Sequence, residues 1–119
     1  MMKENVLKSK SFAFAISIVE LSKYLVNDKK EFVLSKQLLR SGTSIGAMVR
    51  EAEHAQSKAD FIHKLSIAQK EANETLYWIE LLFATAYISK EEFTLHFTQA
   101  EELMKMITAS IKTAKSNLQ

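Results

Sequence analysis

The 119 residues carry 16 Lys/Arg against 14 Asp/Glu and no cysteine, which excludes a disulfide framework and any thiolate metal site. No proline and two glycines leave too few turn formers for a β-rich fold and point to one domain, residues 1–119, built from long helices. The charge is uneven: residues 1–50 hold nine Lys/Arg against four acids, net +5, and residues 51–119 seven against ten, net −3. Such asymmetry permits a basic face for polyanions.

The first predicted helix spans about 11–27. Phe14, Ile18, Leu21 and Leu25 follow a helical period, and Phe12, Ile16 and Val19 form a second stripe beside them, so the apolar face is wide for a lone surface helix. The basic leader MMKENVLKSK before FAFAISIV has too short an apolar run for a signal peptide, and no stretch approaches membrane-span length, so the expected address is the cytoplasm, with no membrane partner. Asn27-Asp28-Lys29-Lys30 reads as a turn.

The second helix is expected over about 35–56 with Ser35 as N-cap, and its core stripe is Leu38, Gly42, Ile45, Val49 and Ala52. Gly42 and Gly46 share a face. A glycine inside a helix costs about 1 kcal/mol relative to alanine, so the pair predicts an unusually close approach to the first or third helix. The opposite face carries Lys36, Arg40, Thr43, Ala47, Arg50 and His54, a basic stripe able to meet phosphate.

Ser57-Lys-Ala-Asp60 opens a third helix over about 58–86, and Ser89-Lys-Glu-Glu92, a capping box, opens a fourth over about 90–116. Tyr77-Trp78 lies among apolar residues and reads as core. Four amphipathic helices with short turns predict an all-α, up-down-up-down antiparallel bundle. In that arrangement Arg40 falls level with Glu74 and near Glu71, and Glu20 falls level with Ser41. A partly buried cluster of Glu20, Arg40, Glu71 and Glu74 is therefore expected. Leu39, Met48, Ile62, Ile67, Leu95 and Met106 exceed what one bundle buries and suggest an oligomer interface.

Glu51-Ala-Glu-His54 has the Glu-x-x-His form of a helical-bundle metal site, but Glu71-Ala-Asn-Glu74 lacks the matching histidine and Arg40 would repel a dication. Asp60 and His63 lie closer to Glu51 and His54 and could complete only a superficial site, so no metal or other cofactor is expected. With no phosphate loop and no nucleophile elbow, an enzyme is not expected either.

The run from Ser35 to Ala52, SKQLLRSGTSIGAMVREA, and the run from Ser57 to Trp78, SKADFIHKLSIAQKEANETLYW, together resemble a bacterial four-helix-bundle family encoded in intervening sequences of large-subunit rRNA genes and historically described as a ribosomal protein. The resemblance implies a ring-like homo-oligomer, a pentamer, similar to the accessory protein of diversity-generating retroelements, which engages RNA and a reverse transcriptase. Met48 stands where that family commonly has asparagine. RNA or another nucleic acid is the expected partner beside self-association, with Lys36, Arg40, Arg50 and His54 as its contacts; a protein-only scaffold is the alternative.

Overall fold

The computed structural model describes residues 2–117, with side chains from residue 6. It contains α1 (Met2–Asn27), α2 (Leu34–Glu53), α3 (Lys58–Ala84) and α4 (Lys90–Ser116), and no strand among the described residues. Each helix packs on its chain neighbours, and α1 also meets α4 along the loosest of the four seams. The partners run antiparallel throughout. Lys8 meets Glu53 while Ser22 meets Ser35; Arg40 meets Glu71 while Glu51 meets Lys64; Gln69 meets Thr108 while Phe83 meets Phe93. The result is an up-down-up-down rod with extents of 50 × 21 × 20 Å.

Helix α1 begins well before the predicted Ser11. Leu7 is buried and continues the stripe Phe14, Ile18, Leu21 and Leu25 toward the N-terminus, with Ser11 at the intervening core position. A serine there hides the period from a search for apolar residues. Helix α2 ends at Glu53 and not at 56, because the last turn tightens: His54 N–H donates to the Glu51 carbonyl and Ala55 N–H to that of Ala52. Helix α3 ends at Ala84, two residues short of the expectation, and Ala86 takes φ = 67° in the turn that follows.

The start of α2 is built otherwise than the sequence suggested. Ser35 is not the cap. The helix begins at Leu34, and the Glu31 carboxylate accepts from the backbone N–H groups of Val33, Leu34 and Ser35 at 3.2, 3.0 and 2.6 Å. Ser35 turns inward and donates its hydroxyl to the Glu31 carbonyl. Glu31 is 7% exposed. Burial pushes its carboxyl pKa up, but the N–H groups of Leu34, Ser35 and Val33 outweigh that and hold it below the ordinary 4.5. The other two starts follow the sequence more closely. Ser57 accepts from Asp60 N–H, while the Asp60 carboxylate takes the N–H of Gln56; Ser89 and Glu92 form a complete capping box.

The glycine pair faces α1. A methyl group on Gly42 would lie 2.9 Å from Ile18 Cγ2, and one on Gly46 would lie 3.3 Å from the Ser11 carbonyl oxygen. Both glycines are buried, as are Ser11 and Ile18. Across the other seam the Ser41 and Thr75 hydroxyls pair at 3.0 Å inside the core and fix the register of α2 on α3.

Candidate nucleic-acid interface

The outward face of α2 presents Lys36, Arg40, Ala47 and Arg50 to solvent, with Thr43 half-buried among them and His54 exposed at the C-terminal cap. These side chains have different neighbours. Arg40 reaches across to α3, where one terminal nitrogen lies 3.2 Å from Glu71 and the other pairs with Glu74. Glu74 also accepts from the Trp78 indole N–H at 2.9 Å. The indole bond first, and Arg40 second, hold the Glu74 carboxyl below its ordinary value, while Glu74 and then Glu71 raise Arg40.

This cluster differs from the expected one in two respects. Arg40 keeps 49% of its side chain exposed, so the pairs are surface pairs, each worth roughly 0–1 kcal/mol. Glu20 is not part of it. Glu20 is exposed on α1, while Arg40 pairs across to α3. Trp78, which the sequence assigned only to the core, completes the network in its place. An indole four residues from a carboxylate on one helix is a spacing that could have revealed it.

With Arg40 engaged, the outward basic side chains left are Lys36 and Arg50 on α2 and His54 just past its end. None of the three lies within ion-pair distance of a carboxylate among the described residues. The Arg50 guanidinium rests over the Phe12 ring of α1, 4.9 Å from its centroid. Arg50 and His54 border a shallow groove with Glu51, Gln56, Asp60 and Lys64, in which Lys64 pairs with Glu51 at 3.0 Å. The charge asymmetry shrinks in three dimensions. The cut at residue 50 fell inside α2; divided between the helix pairs, residues 1–57 carry nine Lys/Arg against six acids, net +3, and residues 58–119 carry seven against eight, net −1.

The side chains weighed from the sequence as a superficial metal site, Glu51, His54, Asp60 and His63, do not converge. Among the described residues no group of three His, Cys, Asp or Glu side chains could hold a metal ion. Glu51 is taken by Lys64 and Asp60 by the start of α3. At the end of the rod where α2 turns into α3, a cleft of about 430 Å³ opens over Leu7, Val49, Phe61 and Leu65. Its rim holds Ser57, Ser110 and the Lys8–Glu53 ion pair at 3.1 Å, an apolar floor without a set of converging reactive groups.

The apolar surplus is also redistributed. Leu39, Met48, Ile62 and Met106 pack partly buried against their own core, so Met48 is a packing residue here. The exposed large apolar side chains among the described residues are Val6, Phe12 and Ile16 on α1, Phe32 and Val33 before α2, Tyr77 and Phe83 on α3, and Leu95 on α4, of which only Leu95 belonged to the expected set. Tyr77, read from the sequence as core, is 57% exposed; it stands on the outer side of α3, edge-on to Trp78. Among the described residues no helix is long and apolar enough to cross a membrane.

Comparison with known proteins agrees with this architecture. A solved structure from Bacteroides thetaiotaomicron, of a protein of unknown function from the S23 ribosomal protein family, is 59% identical. It superposes with a TM-score of 0.91 over 92% of this chain and 98% of that one. No curated protein matches. The family model described as 23S rRNA-intervening sequence protein matches residues 3–109, and the chain belongs to that family.

Proposed function

We propose that the chain is a non-enzymatic, cytoplasmic binding module that assembles with copies of itself and holds nucleic acid through its phosphates. The observation that carries this reading is the trio of Lys36 and Arg50 on α2 and His54 at its C-terminal cap, all outward and without carboxylate partners among the described residues. Nearby acids are already engaged: Glu71 and Glu74 by Arg40, and Glu51 by Lys64. The family's description, tied to 23S rRNA, supports RNA as the polyanion. Exposed Phe12 and Ile16 support self-association, and the ring of five copies implied by the sequence resemblance is the assembly we propose.

The test is a gel-shift titration of structured RNA at low salt. The wild-type protein is expected to retain RNA at micromolar concentration and to lose it steeply as salt rises. Replacing Lys36 and Arg50 together by glutamine should weaken binding across sequences and lower the salt slope by about 1–2. No retention at low salt would remove the reading. A second reading, a scaffold that binds only protein, draws on exposed Tyr77 and Leu95. A partner that stays bound in a pull-down after nuclease treatment, alongside a failed gel shift, would favour it.

A further inference from the structure

The turn between α1 and α2 holds two apolar side chains out in water. Phe32 is 59% and Val33 70% exposed. They are not loose ends of a slack loop. Glu31 N–H donates to the Leu25 carbonyl at 2.9 Å, and the Glu31 side chain binds three successive N–H groups beyond it, so Phe32 and Val33 are clamped between fixed points. Lys30 takes φ = 56°, a left-handed conformation that a non-glycine residue adopts at some cost. A backbone held this firmly, with its apolar side chains outward, suits a partner.

The surrounding charge indicates what kind of partner. Residues 23–36 contain Lys23, Lys29, Lys30 and Lys36 against two acids, Asp28 and Glu31. Glu31 is buried and turned onto backbone amides, which leaves Asp28 as the outward acid of the segment. Tyr24 lies close by, with the Lys29 ammonium 5.9 Å from its ring centroid. The α3–α4 turn at the same end of the rod carries Lys90 against Glu91 and Glu92, net −1, so the positive charge there is confined to the α1–α2 turn. The same turn of a second copy would bring the same excess of lysine, four against two acids, and no complement to it, so it is the poorer occupant. A polyanion with flat apolar faces is a good one.

We propose that the α1–α2 turn is a contact for single-stranded nucleic acid, with Phe32 stacking on an unpaired base and Lys29, Lys30 and Lys36 meeting the flanking phosphates. This rests on the nucleic-acid reading above and deepens it: it names the strandedness of the ligand and moves the centre of contact from the flank of α2 to its N-terminal tip. An aromatic ring between lysines is the arrangement that holds single strands without reading their sequence, whereas a duplex hides its base faces.

The experiment is fluorescence anisotropy with a labelled oligoadenylate and a matched RNA duplex, accompanied by light scattering. Phe32→Leu keeps the apolar bulk but removes the ring, and the site's exposure leaves the fold intact. It should weaken single-strand binding roughly ten-fold or more, leave the duplex within about two-fold, and leave the solution mass unchanged; Phe32→Trp should retain binding. If the leucine variant binds the single strand as the wild type does, the stacking contact is overturned while nucleic-acid binding stands. If Phe32→Leu or Val33→Ser lowers the solution mass, the turn is a contact between copies, and the proposal is overturned in that way. Failure of the wild type to bind either RNA at low salt would bring down the broader reading and this one with it.

Discussion

The carboxylate of Glu31 is committed to three backbone N–H groups that the first turn of α2 would otherwise leave unpaired. Its folded-state pKa lies below the ordinary 4.5, so the charged form is the one the fold favours. Its contribution is therefore fully present above that value and fades as pH falls through the lower folded value. Glu31→Gln should cost about 1–2 kcal/mol at pH 7 in urea unfolding, the range of lost helix caps, and the gap to the wild type should narrow as pH falls below 4.5 and through the lower folded value. A gap that is constant with pH would mean that the charge is irrelevant there. Sequence reading pointed instead to Ser35, the residue type expected of a cap. A glutamate reaching forward from three residues ahead of the helix is a less local pattern, visible only once the turn is folded. Arg40 with Glu71 and Glu74 was legible, because charge pairing across an antiparallel pair follows from level arithmetic alone. Glu20 was not excluded by that arithmetic, since level says nothing about which side of a crossing a side chain leaves.

At the scale of the element, the glycines of α2 set how near α1 can come. Alanine at position 42 would gain about 1 kcal/mol of helix propensity but would drive a methyl group into Ile18, which is wholly buried and cannot swing away. Overpacking of that kind costs about 1–3 kcal/mol, so Gly42→Ala should come out destabilising by about 1 kcal/mol in thermal or urea unfolding. The decisive form is a double-mutant cycle. Ile18→Ala alone should cost about 2–5 kcal/mol, and in its background Gly42→Ala should become neutral or stabilising. Equal effects in both backgrounds would show that the crossing does not depend on the missing side chain. The four helices and three turns were legible because their apolar period and serine-led starts are local signals. The beginning of α1 was not, because its core position 11 is a serine, small enough to lie against Gly46. The same close contact that explains the glycines thus conceals where their partner helix starts.

On the scale of the whole molecule, the exposed apolar residues decide whether the rod stands alone. Phe12 and Ile16 lie one helical turn apart on α1, each about half exposed, beside a guanidinium already stacked on one of them. We expect wild-type protein in light scattering to show a mass several times that of one chain, and Phe12→Ser with Ile16→Ser to reduce it toward 13.6 kDa while far-ultraviolet circular dichroism stays helical. An unchanged mass in the double variant would place the self-contact elsewhere; a wild-type monomer would dispense with it. Which apolar residues remain outside was the least legible property of the chain. Periodicity marks faces of a helix but not how far a neighbour's long side chains cover them, and Leu39, Ile62 and Met106 were covered.

The cationic turn lies at one end of a rod 50 Å long, not along its flank. Were copies to stand side by side around an axis parallel to that length, every Phe32 would fall on the same rim. A strand held at one tip would then meet the next at high effective concentration, and contacts too weak to matter singly would act as a chelate. In such an arrangement the number of subunits, more than the strength of any one site, would set how long the strand stays bound.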